Sequence, residues 1–227
     1  MALAVTLQLT TSCSSGTAAS TPDAAVPLSG GDTIVVGQFQ TCTLTTIGHD
    51  DNRRLVGLTS GHCGDVGDDI QLAEHPTTSE VVGKVVSENP GLDFAVIEFD
   101  SSLAAPKPNS RLDTGPDPSA GEEVCKRSRA GKLDCGTVLG LLEQTPITLN
   151  RTCSMPGDSG APVFADGRLV GMNAGTHGEP GRAPSRDSPC GDQPVDSRNP
   201  AYTFSISDVL DALRKSGNVG SGLIPEA

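Results

Sequence analysis

Residues 155–162 read MPGDSGAP and place Ser159 in a tight turn between glycines. Two shorter stretches precede this turn in the chain, SGHCG around His62 and LDFAV around Asp93. A serine hydroxyl is a poor nucleophile until a neighbouring imidazole takes its proton, and the imidazole needs a carboxylate that fixes its tautomer. The three stretches therefore predict a fold that brings these distant side chains together in one cleft.

The segments around the three residues indicate an acyl-transfer site. The glycines let the backbone turn so tightly that the N–H groups of Gly157 and Ser159 point into one small volume, where they can bind a developing oxyanion. His62 follows an apolar run that reads as a buried strand, and Asp93 opens an alternating run. The order His, Asp, Ser excludes an esterase of the α/β-hydrolase type, in which the serine comes first.

These stretches resemble those of the chymotrypsin-like serine proteases, and in particular of their bacterial, streptogrisin-like branch. The resemblance lies in the run CSMPGDSG at residues 153–160, in SGHC at residues 60–63, in a small loop bounded by Cys125 and Cys135, and in the absence of tryptophan. It covers roughly residues 30–215. It implies an all-β fold of two six-stranded antiparallel β-barrels with a C-terminal α-helix.

The resemblance also implies a role for each residue of the site. Ser159 attacks the peptide carbonyl, His62 takes and returns the proton, and Asp93 orients His62. The N–H groups of Gly157 and Ser159 form the oxyanion hole. It implies a serine endopeptidase that works through an acyl-enzyme, with no metal and no organic cofactor.

Ala174 departs from the pattern, because the family usually has a serine there whose hydroxyl bonds the aspartate. The alternative is a catalytically silent homologue that binds peptides in the same cleft.

The same resemblance places the walls of the first substrate subsite. It assigns them to Ser154, Met155, Pro156, Asn173, Ala174, Gly175 and Thr176, and to the segment around Tyr202. None of these positions is an acid, so cleavage after Arg or Lys is not expected, and a small or medium apolar side chain is the predicted preference. His177 at one rim leaves open the alternative of an acidic side chain.

Asp158, the residue before the nucleophile, is expected to be buried in a structural ion pair. In this branch of the family the cation is a basic side chain just after the first cysteine of the small loop, a place that Lys126 occupies and Arg127 follows. A pair between Asp158 and one of these two residues keeps the turn formed without a new N-terminus made by zymogen cleavage.

Seven cysteines without a CxxC pair favour disulfides over a metal site, because the four histidines are not spaced beside cysteines as metal ligands are. From spacing alone, six cysteines can pair in about fifteen ways. The resemblance implies the pairs Cys42 with Cys63, Cys125 with Cys135, and Cys153 with Cys190. Such bonds need an oxidising compartment, so the protein is expected outside the cell or in the cell envelope.

The first 29 residues are interpreted as a truncated signal segment and a flexible tether. Residues 1–12 form an apolar stretch too short to cross a bilayer, and the missing basic start indicates that the true first residue lies upstream. Small residues before Cys13 and a Ser/Thr/Gly/Ala-rich tether after it resemble a bacterial lipoprotein cleavage site, where a lipid on Cys13 would anchor the chain to a membrane. The alternative is a plain signal peptide with an incidental thiol.

Composition limits the partners and the domain organisation. The chain has 227 residues, 27 of them glycine and 17 proline, which suits a single all-β protease unit over residues 30–216, split near 101–121. A net charge of −12 without a dense basic stretch argues against nucleic acid, so we expect a peptide or protein substrate and a monomer. Residues 207–214 predict the C-terminal helix, capped by Ser207 and followed by a tail over 217–227.

Overall fold

Short strands, one α-helix and a single 3-10 turn at Gly61–Cys63 make up the regular structure in the described part of the chain. The computed structural model describes residues 25–73, 80–108, 111–127, 131, 133–143, 145–176 and 200–226. The first half contains β1 Val26–Leu28, β2 Thr33–Val36, β3 Gln40–Thr43, β4 Thr46–His49, β5 Leu55–Ser60, β6 Asp69–Leu72, β7 Gly83–Asn89, β8 Phe94–Phe99 and β9 Ala104–Pro106. The second half contains β10 Glu123–Arg127, β11 Leu133–Leu141, β12 Ile147–Asn150, β13 Pro162–Ala165, β14 Arg168–Thr176, β15 Ala201–Ser205, α1 Ile206–Ser216 and β16 Ile224–Glu226.

The second half forms a closed barrel of six strands in the order β10-β11-β12-β15-β14-β13. Every neighbouring pair in this ring is antiparallel. Closure leaves no exposed strand edge, so all strands of the ring have hydrogen-bonded neighbours on both sides. One of the two predicted barrels is therefore confirmed.

Seven strands of the first half and β16 from the end of the chain form an eight-stranded sheet in the order β16-β4-β5-β8-β7-β6-β2-β3. Only Leu44 and Thr45 separate β3 from β4 in the chain, although the two strands lie far apart in this order. The N–H of Leu44 donates to Asp32 next to β2 at 2.9 Å, whereas the N–H of Thr45 donates to Leu58 on β5 at 2.7 Å. The strands β3 and β4 therefore form one bent strand, and the bend curls the sheet into the other predicted barrel, called the first barrel below because it comes first in the chain, with β16 added outside it.

Both faces of β5 and β8 are buried apart from the partly exposed Glu98. The buried strand predicted before His62 is therefore confirmed, whereas the run after Asp93 was predicted to alternate and is almost entirely buried. One face, which includes Ile97, packs into the core of the first barrel. The other face, which includes Val96, packs with Met172 of the second barrel and with Val209 and Leu213 of α1. The helix therefore covers the junction of the barrels, and the two barrels share an apolar interface.

The helix begins earlier than the sequence predicted. Its N-cap is Ser205, whose side chain accepts a hydrogen bond from the N–H of Asp208, so the prediction of Ser207 as the cap was wrong. The reason is that β15 runs directly into the helix, and Ile206 has to enter the apolar interface as the first helical residue. The helix ends at Gly217, which adopts the left-handed conformation usual for a C-cap (φ 64°).

Three strands lie in segments that the sequence analysis interpreted as connections or ends: β1 in the tether over 1–29, β9 in the split near 101–121 and β16 in the tail over 217–227. The strands β1 and β9 pair in parallel and tie the start of the described chain to the segment after the first barrel. Within the predicted tail, β16 pairs with β4. Among the described residues, no helix combines the length and the apolar character needed to span a membrane.

Candidate active site

Three side chains predicted to act in catalysis form one chain of hydrogen bonds at the junction of the two barrels. His62 Nδ1 lies 2.8 Å from Asp93 Oδ2, and His62 Nε2 lies 2.8 Å from Ser159 Oγ. With Nδ1 donating to the carboxylate, Nε2 keeps a lone pair that can accept the serine proton. The first barrel supplies His62 and Asp93 and the second supplies Ser159, so only the packed pair of barrels assembles this arrangement.

Asp93 lies in the turn before β8 and adopts a φ of 46°, which is uncommon for a residue other than glycine. Its Oδ1 accepts the backbone N–H of His62 at 2.9 Å, and its backbone carbonyl accepts the N–H of Gly61 at 2.7 Å. A Cβ on Gly61 would lie 3.0 Å from the carbonyl carbon of Asp93, so this close approach leaves little room for a side chain at position 61. Backbone strain of this kind clusters at functional sites.

The turn that carries Ser159 leaves two N–H groups available. Gly157 adopts a φ of 97°, and the N–H of Asp158 is used within the turn, since it donates to Met155 at 2.9 Å. The N–H groups of Gly157 and Ser159, in contrast, have no acceptor among the described residues. These are the two donors predicted for an oxyanion hole, and they are free to bind a ligand oxygen.

A cavity of about 490 Å³ opens beside this turn and is lined by Gly157 and Ser159 themselves. Its other walls are Phe39, Gln40, Thr41, Met155 and Pro156. Phe39 is 87% exposed, which is unusual for a side chain of its size. The sequence analysis missed Phe39, because no motif marks a single aromatic residue in a turn.

Two threonines of the first barrel hold the nucleophile turn. The N–H of Thr43 donates to the Ser159 carbonyl at 2.8 Å, and its hydroxyl donates to the Gly157 carbonyl at 2.7 Å. The hydroxyl of Thr45 donates to the Gly160 carbonyl at 2.6 Å. The sequence analysis missed both residues. The available signal was the run TCTLTT at residues 41–46, which puts threonines at alternate positions of a predicted strand.

Asp158 is buried and paired. Lys126 Nζ lies 2.7 Å from Asp158 Oδ2 and also donates to the carbonyl of Cys153, and the N–H of Met155 donates to the same carboxylate oxygen at 3.0 Å. Burial lowers the pKa of the Lys126 ammonium, while the attraction of the Asp158 carboxylate opposes that shift. Arg127, the other predicted candidate, lies over the ring of Phe164 at 5.6 Å from its centroid.

Of the predicted walls of the first subsite, Asn173 is fully buried. Its Nδ2 donates to the Ser154 hydroxyl at 3.0 Å and to the Asp158 carbonyl at 2.9 Å. Ser154 and Ala174 are also buried, with 5% and 3% of their surface exposed. These three residues therefore lie behind the surface of the cleft, whereas Met155, Gly175 and Thr176 are partly exposed and Pro156 is exposed.

Tyr202 lies on β15 opposite Gly175 and comes close to it: a Cβ added to Gly175 would be 3.5 Å from the Tyr202 hydroxyl. Burial and the negative charge of Asp93 raise the pKa of Tyr202 above its ordinary value of 10.0, so the phenol stays neutral. Among the described residues, the Asp93 carboxylate accepts hydrogen bonds only from His62. Ala174 cannot add one, because it has no side-chain donor.

Disulfides join Cys42 to Cys63, the neighbour of His62, and Cys125 to Cys135. Cys153 is also in a disulfide bond. Its predicted partner Cys190 lies outside the described residues, as do Cys13 and His177.

Within the described ranges, the one grouping of potential metal ligands combines Glu123 with Cys125 and Cys135. Because these two cysteines are bonded to each other, neither has a thiolate for a metal ion.

Solved structures of bacterial serine proteases share this architecture. Protease A from Thermobifida fusca has a TM-score of 0.59 at 20% identity, over 82% of this chain and 96% of that one. A protease from Nocardiopsis has a TM-score of 0.57 at 19% identity, over 82% and 96%. A glutamic acid-specific serine protease, described as using a novel histidine triad in substrate binding, has a TM-score of 0.63 at 17% identity, over 82% and 97%.

No protein-family profile and no curated protein sequence matches the chain. The resemblance inferred from the motifs is nevertheless confirmed for the fold, since the matches to solved structures span both barrels. The chain is a two-barrel protein with the chymotrypsin-like fold, the fold of the bacterial serine proteases.

Proposed function

We propose that this protein is an exported serine endopeptidase that hydrolyses peptide bonds through an acyl-enzyme on Ser159. The observation that carries the proposal is the continuous hydrogen-bond chain from Asp93 through His62 to the Ser159 hydroxyl, with both distances at 2.8 Å. Activation of a serine needs an adjacent base and a third group that orients the base. Both are within hydrogen-bonding distance here.

The chemistry follows from the positions of these atoms. Nε2 of His62 takes the proton as Ser159 Oγ attacks the carbonyl carbon, and Asp93 stabilises the imidazolium that forms. The negative oxygen of the tetrahedral intermediate binds to the N–H groups of Gly157 and Ser159. His62 then donates the proton to the leaving amine. Water attacks the remaining acyl-enzyme by the same route in reverse and frees Ser159.

The proposed substrate is a peptide or protein with a small or medium apolar side chain before the scissile bond. The wall positions that the structure describes include no acid that could hold a basic side chain. They also include no histidine, although the glutamic acid-specific protease of the same fold is described as using three. Since His177 lies outside the described residues, a glutamate preference is the second candidate that peptide-library profiling has to separate from the apolar one.

Reaction with a fluorophosphonate probe tests the proposed activity. An activated Ser159 is expected to be labelled stoichiometrically, and Ser159→Ala and His62→Ala are expected to abolish labelling. A folded protein that stays unlabelled and cleaves no peptide of a diverse library would instead be the silent peptide-binding homologue, an alternative that Ala174 favours because it lacks the hydroxyl that the family usually has at this position.

Export and anchoring form a separate part of the proposal. Disulfides at Cys42–Cys63 and Cys125–Cys135 favour an oxidising compartment. Mass spectrometry of the mature N-terminus from cells reports both features at once: a diacylglyceryl group on Cys13 supports a lipid anchor, and cleavage elsewhere supports a plain signal peptide. Retention of residues 1–12 in the mature protein would contradict both.

A further inference from the structure

Asn173 on β14 has a buried side-chain amide that forms hydrogen bonds to residues outside its own strand. The residue is 0% exposed, and its Nδ2 donates to the Asp158 carbonyl at 2.9 Å and to the Ser154 hydroxyl at 3.0 Å. A buried amide has to form hydrogen bonds, so these two acceptors fix its orientation. The acceptors belong to Ser154 and Asp158, which precede Ser159 in the chain, and Asp158 is its direct neighbour.

The backbone of Asn173 bonds the other side of the same turn. The N–H of Gly160 donates to the Asn173 carbonyl at 2.7 Å, and the N–H of Asn173 donates to the Ala161 carbonyl at 2.9 Å. The hydroxyl of Ser60, two residues before His62, donates to the Asn173 carbonyl at 3.3 Å. One buried residue therefore contacts the chain on both sides of Ser159, and it also contacts the barrel that carries His62.

The Asn173 amide keeps one polar atom without a partner. Its Oδ1 is buried and has no hydrogen-bond donor among the described residues. An unpaired buried acceptor lowers stability, so an asparagine at this position is not the choice that stability alone favours. Residues that are unfavourable for stability are expected where they have a role in function.

We propose that Asn173 is a positioning residue, which uses its two side-chain hydrogen bonds to hold the Ser159 turn in the geometry needed for attack. The inference rests on the proposed function, because it concerns the reactivity of the same serine. The reason for its importance is geometric: displacement of a reacting group by about 1 Å can cost about 100-fold in rate. The backbone bonds of Asn173 remain in any variant, whereas the bonds to Asp158 and Ser154 depend on the amide.

The test compares Asn173→Leu with a control in the same barrel. Leucine has the branched shape of asparagine and the same number of side-chain heavy atoms but no polar atom, so it removes both donors and the unpaired Oδ1, although its methyl groups are larger than the amide they replace. The control is Asn150→Ala on β12. Asn150 is also 0% exposed and bonds Thr203 at 3.0 Å and Thr152 at 2.6 Å, but it bonds no residue of the Ser159 turn.

Two readouts are measured for each variant together with Tm. The first is kcat and KM on a small ester, with the rate constant of fluorophosphonate labelling. Asn173→Leu is expected to lower kcat and the labelling rate about 10- to 100-fold, with KM within about twofold. Its Tm is expected to fall as well, because the buried Asp158 carbonyl and Ser154 hydroxyl lose their donor, so its rates are also compared at a temperature where the variant is folded. Asn150→Ala is expected to lower Tm but to keep kcat within about twofold at a temperature where the variant is folded.

The second readout is amide hydrogen exchange in the peptide that covers residues 157–161. Asn173→Leu is expected to speed this exchange and Asn150→Ala is not. This measurement needs no catalytic activity, so it separates the present inference from the proposed function: an unlabelled protein that still shows the exchange effect would refute only the protease. Unchanged kcat and unchanged exchange in Asn173→Leu would overturn the role of Asn173, as would an equal loss of kcat in Asn150→Ala.

Discussion

Lys126→Met is expected to be one of the most damaging single changes on the second barrel. Lys126 is 0% exposed and its partner Asp158 only 4%, with 2.7 Å between Nζ and Oδ2. Methionine fills a similar volume but leaves the Asp158 carboxylate buried with no cation. Breaking a buried pair in this way costs about 3–5 kcal/mol, since the remaining charge is out of water and unpaired. The N–H of Met155 is too weak a partner to replace the ammonium.

The exposed pair between Lys84 and Asp69 provides the control, because it joins the same types of residue with 59% and 45% of their side chains exposed. Surface pairs contribute about 0–1 kcal/mol. Urea denaturation therefore should show a loss of about 3–5 kcal/mol for Lys126→Met and at most about 1 kcal/mol for Lys84→Met. Since Asp158 precedes Ser159, fluorophosphonate labelling should be lost only in the first variant.

The double variant Lys126→Met/Asp158→Asn removes the uncompensated charge, and together with the single variant Asp158→Asn it completes a double-mutant cycle for this ion pair. It is expected to regain part of the stability that Lys126→Met loses. A loss below about 1 kcal/mol for Lys126→Met with full labelling would refute the reasoning, because a buried and unpaired carboxylate should lower the free energy of unfolding by more than that. Equal losses for the buried and the exposed lysine would refute it as well.

Three further outcomes are expected. Ala174→Ser should add a hydrogen bond to Asp93 and raise kcat/KM on a peptide about 2- to 10-fold; lower activity with unchanged Tm would contradict this. Phe39 lines the cavity beside Ser159, so Phe39→Ala should lower kcat/KM about 10-fold for peptides that carry a large apolar side chain next to the scissile bond, but not for a small ester without one; equal effects on both substrates would argue against contact between Phe39 and the peptide. Burial alone would raise the pKa of Asp50, but hydrogen bonds from the Arg54 side chain and from backbone N–H groups lower it below its ordinary value of 3.8. The Asp50 contribution to stability is therefore complete above about pH 4 and is lost as the pH falls through the folded-state pKa; Asp50→Asn should lower Tm at pH 7 and reduce the further loss of Tm in acid, and an unchanged acid profile would contradict this.

The sequence predicted the chemistry of the site more fully than the packing around it. Ser159, His62 and Asp93 each lie in a short run in which the geometry of the site also restricts the adjacent residues. Gly157 permits the turn before Ser159, and Gly61 permits the close approach to Asp93. Such local requirements leave a pattern in consecutive residues. The two barrels and the C-terminal helix could be predicted for the same reason, since the resemblance that implied them rested on these runs.

Other parts of the site left no local pattern that identifies their role. Thr43 and Thr45 bond a turn more than a hundred residues away, with sequence separations of 114 and 115 to their carbonyl partners. A threonine that bonds a distant carbonyl has the same sequence neighbours as any other threonine in a strand. The exposed Phe39 and the N-cap Ser205 were missed for related reasons, because a cavity wall and the junction of β15 with α1 exist only after the chain has folded.

By itself, the sequence determined which groups are proposed to react, their order and the barrel class, since each depends on residue types within short runs. Only the tertiary structure decided that Lys126 rather than Arg127 pairs with Asp158, that β3 and β4 are one bent strand, and that Asn173 is bound behind the nucleophile turn. The physical reason is that burial and hydrogen-bond distance are properties of segments far apart in the chain, and these become neighbours only when the two barrels pack together.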